Sequence, residues 1–396
     1  MTSSELPEWM ETDLQQIREA GLFRSRRIFQ PLAGGRCLLD GQTLVNLSSN
    51  DYLDLAQDPR LVSAASVALS ELGVGARASA LVSGRTIWHA RLEEQLAKFE
   101  GAEAALLFPS GYAANLGVIS AVAQEADTIF CDRLNHASLI DGCRLSGARF
   151  RVYRHDQLEK LKRELAKPTG AGRKFIVTDS VFSMDGLSAP LRDLCDLAEE
   201  FGASLIIDEA HGTGVYGGKG RGLAEELGVE DRVAIRIGTL SKAVGCLGGF
   251  VSGSETLINW LWNRVRTQIY STALPPSICA AACAALEVIQ TEPERRDRLH
   301  ELSRYLRSGL KERSQLTVPA STGPIIPVIL SDPALTMQVA GDLQSDGFMV
   351  GAIRPPTVPQ GTSRLRISLT CAHQREDLER FLKALDGSLA RNGESR

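Results

Sequence analysis

The sequence lacks two close-set pairs of cysteines of the kind that binds zinc, and it lacks long apolar runs and a strong excess of either charge. Its eight cysteines are scattered through 396 residues, and two of them, Cys131 and Cys246, lie within apolar segments. Zinc sites and secreted disulfide frameworks need a regular cysteine spacing that is missing here. The cysteines are therefore interpreted as reduced core thiols, which predicts a cytoplasmic protein without a bound metal.

Membranes and nucleic acids are not expected among the partners of this chain. No stretch of about eighteen consecutive apolar residues is present, which is the length that a membrane-spanning helix requires. The first residues, Met1 to Glu8, have no basic start followed by an apolar segment, so no export signal is expected. A formal net charge of −4 gives no electrostatic reason to expect nucleic acid or an anionic membrane surface as a partner.

What the sequence does contain is an alternation of apolar strand-like segments with helical periodicity. Seven strands are predicted between residues 55 and 290, at Ala104–Phe108, Thr128–Cys131, Phe150–Tyr153, Phe175–Thr178, Ser204–Ile207, Ala234–Ile237 and Gly249–Ser252. This alternation predicts an α/β fold with a mostly parallel sheet between helices, and ligands of such sheets bind at the carboxyl ends of the strands.

Three segments are predicted along the chain. Residues 1–54 read as an N-terminal helix followed by short strands, residues 55–290 as a large α/β domain, and residues 291–396 as a smaller α+β domain. Strands are expected in the last segment at Ile325–Leu330, Met349–Ile353 and Leu365–Leu369, and in the first at Cys37–Leu39 and Thr43–Leu47.

Two residues near the predicted strand ends indicate a chemistry. Asp208 follows one strand directly, and Lys242 follows the next strand within the run Thr239-Leu240-Ser241-Lys242. A lysine amine can hold the aldehyde of pyridoxal 5'-phosphate as a Schiff base, while a buried carboxylate keeps the pyridine nitrogen of that cofactor protonated. Either residue alone is better explained as a surface lysine or a helix cap; together, in this order, they predict a pyridoxal phosphate enzyme.

Other residues are candidates for holding the same cofactor. The run Phe108-Pro109-Ser110-Gly111-Tyr112 predicts a strand, a tight turn and a helix start, whose free N–H groups suit a phosphate. The hydroxyls of Thr239 and Ser241 are further candidate donors to that phosphate. His136 is a candidate for stacking on the cofactor ring, and His211 for contacting its phenolic oxygen or holding Asp208. Each feature also has an ordinary structural explanation. The run around Gly111 could be only a capped helix start, His136 only a hydrogen-bonded histidine at a strand end, and the segment after His211 only a tight loop.

The chain resembles the α-oxoamine synthases, pyridoxal phosphate enzymes of fold type I, over nearly its whole length. The matching stretches are Asn46-Leu47-Ser48-Ser49-Asn50-Asp51-Tyr52-Leu53, Leu81-Val82-Ser83-Gly84, Ser110-Gly111-Tyr112, Asn135-His136-Ala137-Ser138, Ser180-Val181-Phe182-Ser183-Met184-Asp185-Gly186, Asp208-Glu209-Ala210-His211-Gly212, Ser241-Lys242 and Tyr270-Ser271-Thr272-Ala273-Leu274-Pro275-Pro276. The resemblance implies a homodimer in which Thr272 reaches the cofactor phosphate of the partner subunit.

The resemblance also implies roles for individual residues. Lys242, His136, Asp208 and His211 are expected to be catalytic, and the cofactor is expected to be bound by Gly111, Tyr112, Ser183, Thr239, Ser241 and Thr272 besides these four. Arg366 is expected to bind the carboxylate of an amino acid, with its neighbour Arg364 as a competitor for that role. Asn50 and His136 are expected to contact the substrate, and His136 to help activate the carbonyl of an acyl thioester.

The run Ala352-Ile353-Arg354-Pro355-Pro356-Thr357-Val358-Pro359 resembles one group within this family. Members of that group condense L-alanine with a pimeloyl thioester, carried on coenzyme A or acyl carrier protein, in the assembly of biotin. Arg354, Thr357 and a residue of the basic cluster Arg24, Arg26 and Arg27 are expected to bind the acyl donor, and Arg24 is preferred within that cluster.

Three alternatives stay open at this point. Another α-oxoamine synthase, such as a glycine C-acetyltransferase, shares the cofactor residues and differs at Arg354. Transamination or lyase chemistry fits Lys242 and Asp208 but not the stretch from Arg354 to Arg366. A non-catalytic partner subunit is expected to have lost the lysine, and Lys242 is present.

Overall fold

A computed structural model describes residues 8–313 and 316–393 of the chain. In these ranges the strands are β1 Gln30–Leu32, β2 Arg36–Leu39, β3 Gln42–Leu47, β4 Ala104–Phe108, β5 Thr128–Asp132, β6 Arg149–Tyr153, β7 Lys174–Asp179, β8 Ala203–Asp208, β9 Ile235–Thr239, β10 Gly249–Gly253, β11 Ile325–Ser331, β12 Phe348–Ile353 and β13 Ser363–Ser368. All twelve strands that the sequence predicted are present, and β1 is the one that it missed.

The α-helices of the same ranges lie mostly between these strands. They are α1 Glu8–Glu19, α2 Pro59–Leu72, α3 Ile87–Glu100, α4 Gly111–Val122, α5 Ala137–Leu145, α6 Leu158–Leu165, α7 Leu191–Phe201, α8 Leu223–Leu227, α9 Glu255–Arg264, α10 Arg266–Ile269, α11 Pro276–Thr291, α12 Glu294–Lys311, α13 Pro333–Ser345 and α14 Arg375–Gly393. None of them is long and apolar enough to cross a membrane.

The larger sheet has seven strands in the order β4-β10-β9-β8-β7-β5-β6. The pairs from β9 to β6 are parallel, whereas β10 is antiparallel to both of its neighbours. Every residue of β5 and β9 is buried, as expected for central strands that carry helices on both faces. The prediction of an α/β fold with a mostly parallel seven-stranded sheet is confirmed.

The smaller sheet joins the two ends of the chain. Its order is β1-β2-β3-β12-β13-β11, and β3 pairs in parallel with β12, so that Val45 lies opposite Phe348. The strands of the predicted N-terminal segment and of the predicted C-terminal domain therefore belong to one sheet. This pairing brings residues near position 50 close to residues near position 366.

Helix starts at the ends of the large sheet follow local sequence signals. Ser110 caps α4 by accepting a hydrogen bond from the N–H of Ala113 at 3.1 Å, and α4 packs its buried residues Ala114, Val118 and Ile119 into an apolar cluster with the sheet. A serine in this position satisfies one of the N–H groups that a helix start leaves without a partner. The turn after β4 is therefore stabilised by a local hydrogen bond, from the N–H of Ala113 to the hydroxyl of Ser110.

Candidate active site

The predicted catalytic residues meet at the carboxyl end of the large sheet. Asp179 ends β7 and lies directly opposite Asp208, which ends β8, while Thr239 ends the next strand, β9. Lys242 follows in a tight turn, where its carbonyl accepts a hydrogen bond from the N–H of Gly245 at 2.8 Å. Parallel strands bring these side chains to one edge because their carboxyl ends coincide.

The amine of Lys242 lies in a pocket that favours its neutral form. Burial lowers the pKa of Lys242 to about 8, and the positive charge of Arg366 acts in the same direction. The carboxylates of Asp208 and Asp179 oppose this shift without cancelling it. With a pKa near 8, about one tenth of such amines are neutral at pH 7, compared with almost none for a solvated lysine.

Asp208 is held on both of its oxygens. Oδ1 accepts a hydrogen bond from the N–H of Ala210 at 2.7 Å, and Oδ2 accepts one from Nδ2 of Asn115 at 2.6 Å. Asn115 also donates to Oγ of Ser138 at 2.9 Å, and that hydroxyl lies 2.7 Å from Nδ1 of His136. The sequence analysis assigned no role to Asn115 or Ser138, since only the fold brings them to Asp208.

A second buried carboxylate, that of Asp179, binds the backbone of His136. Oδ2 of Asp179 accepts a hydrogen bond from the backbone N–H of His136 at 2.6 Å. Burial, together with the neighbouring negative charge of Asp208, raises the pKa of Asp179 well above its ordinary value. Burial at this position therefore favours the protonated form of Asp179.

The residues predicted to bind a phosphate form a cradle at the start of α4. A Cβ added to Gly111 would lie 3.1 Å from Oγ1 of Thr239, so this glycine allows the helix start to approach the end of β9 closely. Oγ1 of Thr239 lies 2.7 Å from Oγ of Ser241. The ring of Tyr112 packs edge-on against His136 with 6.3 Å between ring centroids. Two hydroxyls and the first N–H groups of a helix suit a phosphate.

His211 is buried against a tyrosine that the sequence analysis left without a role. Its Nδ1 lies 2.6 Å from the hydroxyl of Tyr52, and burial lowers the pKa of His211 well below its ordinary value. The glycines that follow belong to a tight loop, because a Cβ on Gly212 would lie 1.9 Å from a carboxylate oxygen of Glu209. Packing of this loop against Glu209 explains Gly212.

The two competing arginines of β13 have different partners. Arg364 forms a salt bridge with Asp185 at 2.5 Å, so its charge is already paired. Arg366 donates to the carbonyl of Ser183 at 2.6 Å, has long contacts, of 3.4 and 3.5 Å, with Oδ1 of Asn50, and interacts with the hydroxyl of Tyr52. Within the described ranges Arg366 has no carboxylate partner, and its positive charge lowers the pKa of Lys242. Arg366 is thus the arginine free to bind an anion here.

The residues predicted for the acyl donor meet at a separate cavity of about 560 Å³. Nη2 of Arg24 donates to Oγ1 of Thr357 at 3.2 Å. Arg354 donates to the carbonyl of Phe23 at 3.1 Å and to that of Gly21, which ties the loop after β12 to the segment after α1. Arg24, Arg354 and Thr357 all line the cavity.

Thr272 lies on the surface of the single chain, and it lines a small cavity together with Phe108 and Pro109, which precede the start of α4. It is exposed and forms an isolated antiparallel bridge with Ser79, next to Tyr270, whose side chain is 73% exposed. An exposed tyrosine and threonine in a segment that carries a family motif would suit an interface between subunits.

The arrangement fits pyridoxal 5'-phosphate. Lys242 provides an amine, Asp208 provides a carboxylate held on both oxygens, and the start of α4 with Thr239 and Ser241 provides phosphate donors. His136 caps α5 between the carboxylate and the helix start, where an imidazole can cover one face of a ring.

Comparisons with known proteins agree with this geometry. Residues 42–385 match the family model of aminotransferase class I and II. The chain is 48% identical over 378 residues to an 8-amino-7-oxononanoate synthase of Anaeromyxobacter dehalogenans, which covers 96% of this chain and 94% of that protein. It is 47% identical over 375 residues to the enzyme of the same name from Geobacter sulfurreducens, covering 94% and 96% of the two chains.

Solved structures show the same fold. A serine palmitoyltransferase from S. paucimobilis, carrying a pyridoxal phosphate–myriocin adduct, superimposes with a TM-score of 0.92 at 29% identity and covers 98% of both chains. The 8-amino-7-oxononanoate synthase of Francisella tularensis superimposes with a TM-score of 0.76 at 29% identity, over 88% of this chain and 98% of that one. The chain belongs to the aminotransferase class I and II family and, within it, to the 8-amino-7-oxononanoate synthases, acyltransferases that use pyridoxal 5'-phosphate.

Proposed function

We propose that the protein condenses L-alanine with a pimeloyl thioester to form 8-amino-7-oxononanoate, a step in the assembly of biotin. The α-carbon of alanine loses its proton and bonds to the thioester carbonyl carbon, from which the thiol leaves. The alanine carboxylate then leaves as carbon dioxide, and a proton takes its place on the α-carbon. The observation that carries the proposal is the guanidinium of Arg366, which lacks a carboxylate partner in the described ranges and acts on the pKa of Lys242.

Lys242 is assigned the covalent and proton-transfer steps. When bound, pyridoxal 5'-phosphate supplies an aldehyde for amine attachment and a ring that stores the electron pair released at the α-carbon. The amine of Lys242 would hold the cofactor and, once the amine of alanine replaced it there, would be available in its neutral form to accept the α-proton. Its lowered pKa supports this role, because a base must be neutral to accept a proton.

Arg366 and Asn50 are assigned to the alanine carboxylate. A guanidinium presents two parallel N–H groups that match a carboxylate, which orients the α-carbon as well as binding the amino acid. The long contacts of Arg366 with Asn50 leave these N–H groups available. Arg364 is not assigned this role, since its charge is paired with Asp185.

The acyl donor is assigned to the cavity lined by Arg24, Arg354 and Thr357. Its basic groups suit the free carboxylate of a pimeloyl chain or the phosphate groups of its carrier, whether that carrier is coenzyme A or acyl carrier protein. Apolar side chains of the same cavity, among them Phe23 and Ile353, suit the methylene chain.

The proposal includes a homodimer located in the cytoplasm. Exposure of Thr272 and Tyr270 on the single chain supports a site that the Thr272 segment of a partner subunit completes at the cofactor phosphate. All eight cysteines are free thiols, which supports a reducing compartment. Dilution to the monomer with full activity retained would contradict the dimer.

Thiol release by the purified, cofactor-loaded protein tests the substrates. Pimeloyl-coenzyme A with L-alanine is compared with pimeloyl-coenzyme A plus glycine and with acetyl-coenzyme A plus glycine, and the product is identified by its mass. Turnover that requires both L-alanine and the pimeloyl donor is expected. A preference for glycine with acetyl-coenzyme A would leave the cofactor site intact and replace the substrates by those of a glycine C-acetyltransferase.

A further inference from the structure

A continuous chain of hydrogen bonds joins Asp208 to His136 through two buried side chains. Asn115 donates to Oδ2 of Asp208 at 2.6 Å and to Oγ of Ser138 at 2.9 Å, and that hydroxyl lies 2.7 Å from Nδ1 of His136. Asn115 is 2% exposed and Ser138 is fully buried. Solvent therefore does not compete for these bonds.

The chemistry of the groups fixes the direction of the two hydrogen bonds that Asn115 forms. An ionised carboxylate only accepts hydrogen bonds, so Asn115 must turn its NH₂ group toward Asp208. The second hydrogen of that NH₂ group points to Oγ of Ser138. The hydroxyl of Ser138 accepts this bond with one lone pair, and its own hydrogen can donate to Nδ1 of His136.

The backbone N–H of Ser138 indicates that Nδ1 of His136 is an acceptor. His136 is the N-cap of α5, and its Nδ1 also accepts a hydrogen bond from the N–H of Ser138 at 3.3 Å. Both contacts need a lone pair on Nδ1. A neutral imidazole with a lone pair on Nδ1 carries its hydrogen on Nε2.

We propose that Asn115 and Ser138 are positioning residues that hold His136 in the neutral tautomer with its proton on Nε2. This is the tautomer that His136 needs in order to donate a hydrogen bond from Nε2 to the carbonyl oxygen of the acyl thioester, the contact that the family resemblance implies. This inference rests on the proposed function, because it assigns the Nε2–H group to the acyl donor. A donor fixed in advance stabilises the negative charge that develops on that oxygen during carbon–carbon bond formation. Since Asn115 binds Asp208 as well, one amide orients both residues.

The charges around His136 are compatible with a neutral ring. Burial lowers the pKa of His136, and the positive charge of Lys242 acts in the same direction, whereas two carboxylates raise it. The titratable groups around His136 are Asp208 from β8, Lys242 after β9, Asp141 from α5, Tyr112 from α4, His211 from the loop after β8 and Asp179 from β7, which binds the backbone N–H of His136.

Nitrogen NMR of protein labelled with ¹⁵N-histidine reads the tautomer without any turnover. The chain has six histidines, and His136→Gln identifies the signals of His136. We expect Nδ1 to give the signal of a nitrogen with a lone pair and Nε2 that of a protonated nitrogen, both with and without bound cofactor. A protonated Nδ1 with a bare Nε2 overturns the proposal.

Ser138→Ala removes the hydroxyl that donates to Nδ1 and leaves a side chain of similar volume. A hydrogen bond to the neutral imidazole lowers its pKa, so this variant raises the pKa of His136. The acid limb of the pH profile of kcat/KM for the acyl donor should then move to higher pH, with about a tenfold loss at neutral pH. The NMR signals of the two tautomers of His136 should mix. An unchanged pH profile together with an unchanged NMR spectrum overturns the proposal.

Ser303→Ala is the matched control. Ser303 is also fully buried and loses one hydroxyl bond, to the carbonyl of Leu299 at 2.8 Å, but it lies in α12. Its pH profile and histidine spectrum should equal those of the wild type. If wild-type protein releases no thiol from the pimeloyl donor with L-alanine, the proposed function fails while the NMR result still decides the tautomer.

Discussion

The two halves of the candidate site differ in how they are held. The cofactor side lies at the ends of buried strands, and each oxygen of Asp208 has a fixed hydrogen-bond partner. The acyl side consists of the exposed Arg24 and of Arg354, which is attached through the backbone carbonyls of Gly21 and Phe23. The proposed roles account for this difference. Groups that stabilise charge at a reacting centre act best when they are fixed in advance, whereas groups proposed to select the acyl donor can lie on segments outside the large sheet.

Asp208→Asn is expected to give the largest effect on this comparison. The amide keeps the shape of the side chain but loses the negative charge, so the cofactor ring loses the partner of its protonated nitrogen. Turnover should fall by about a thousandfold while the cofactor, measured by its visible absorbance, stays bound.

Asp127→Asn is the control for loss of a buried carboxylate. Asp127 precedes β5 and pairs with Arg173 at 2.7 Å, at the opposite end of the large sheet. This variant should unfold at a lower temperature and keep its turnover number. Equal losses of turnover in both variants would mean that Asp208 acts through stability alone.

Arg366→Lys is expected to have the second largest effect. A lysine keeps the positive charge but cannot present two parallel N–H groups, so KM for L-alanine should rise about tenfold to a hundredfold. KM for the pimeloyl donor should change by much less. Steady-state kinetics with each substrate varied in turn measures both.

Arg364→Lys provides the matched comparison, two residues along the same strand. It weakens the salt bridge with Asp185 and should lower the melting temperature with little change in KM for L-alanine. The assignment of the two arginines would be reversed if Arg364→Lys raised that KM and Arg366→Lys did not.

Arg354→Ala should have a smaller effect that is confined to the acyl donor. It removes the bonds to Gly21 and Phe23, so kcat/KM for the pimeloyl donor should fall about fivefold to tenfold. KM for L-alanine should be unchanged. Arg26→Ala, an exposed arginine of the same basic cluster, is the control and should behave like the wild type.

Lys242→Met should change the melting temperature of the cofactor-free protein, and this change is the smallest effect expected here. Its loss of turnover is a separate consequence of the role assigned to Lys242. Burial lowers the pKa of Lys242 from its unfolded value of 10.5 to about 8, so the folded state holds fewer protons than the unfolded state between these values. The cost of burying the charge is therefore complete below pH 8 and disappears as pH rises to 10.5. The variant should melt about 4 °C higher at pH 7, and the difference should close above pH 10.5. A lower melting temperature at pH 7 would contradict a buried cation.

The sequence predicted the cofactor side better than the way the two ends of the chain meet. The strands of the large sheet and the positions of Asp208 and Lys242 follow from local apolar patterns, which act over a few residues. The parallel pairing of β3 with β12 joins residues about 300 positions apart, and no local pattern encodes it. Asn115 and Ser138 escaped notice for the same reason, since each reads as an ordinary helix residue until the fold brings them to Asp208.

The most direct test of the account is exchange of the α-proton of L-alanine in deuterated water, followed by proton NMR without any acyl donor. We predict that the cofactor-loaded wild type and Arg354→Ala exchange this proton at the same rate, while Asp208→Asn exchanges it about a thousandfold more slowly. That result would show that Asp208 acts on removal of the α-proton, whereas Arg354 acts only on the acyl donor. Equal slowing in Arg354→Ala and Asp208→Asn would contradict the division of the site into these two halves.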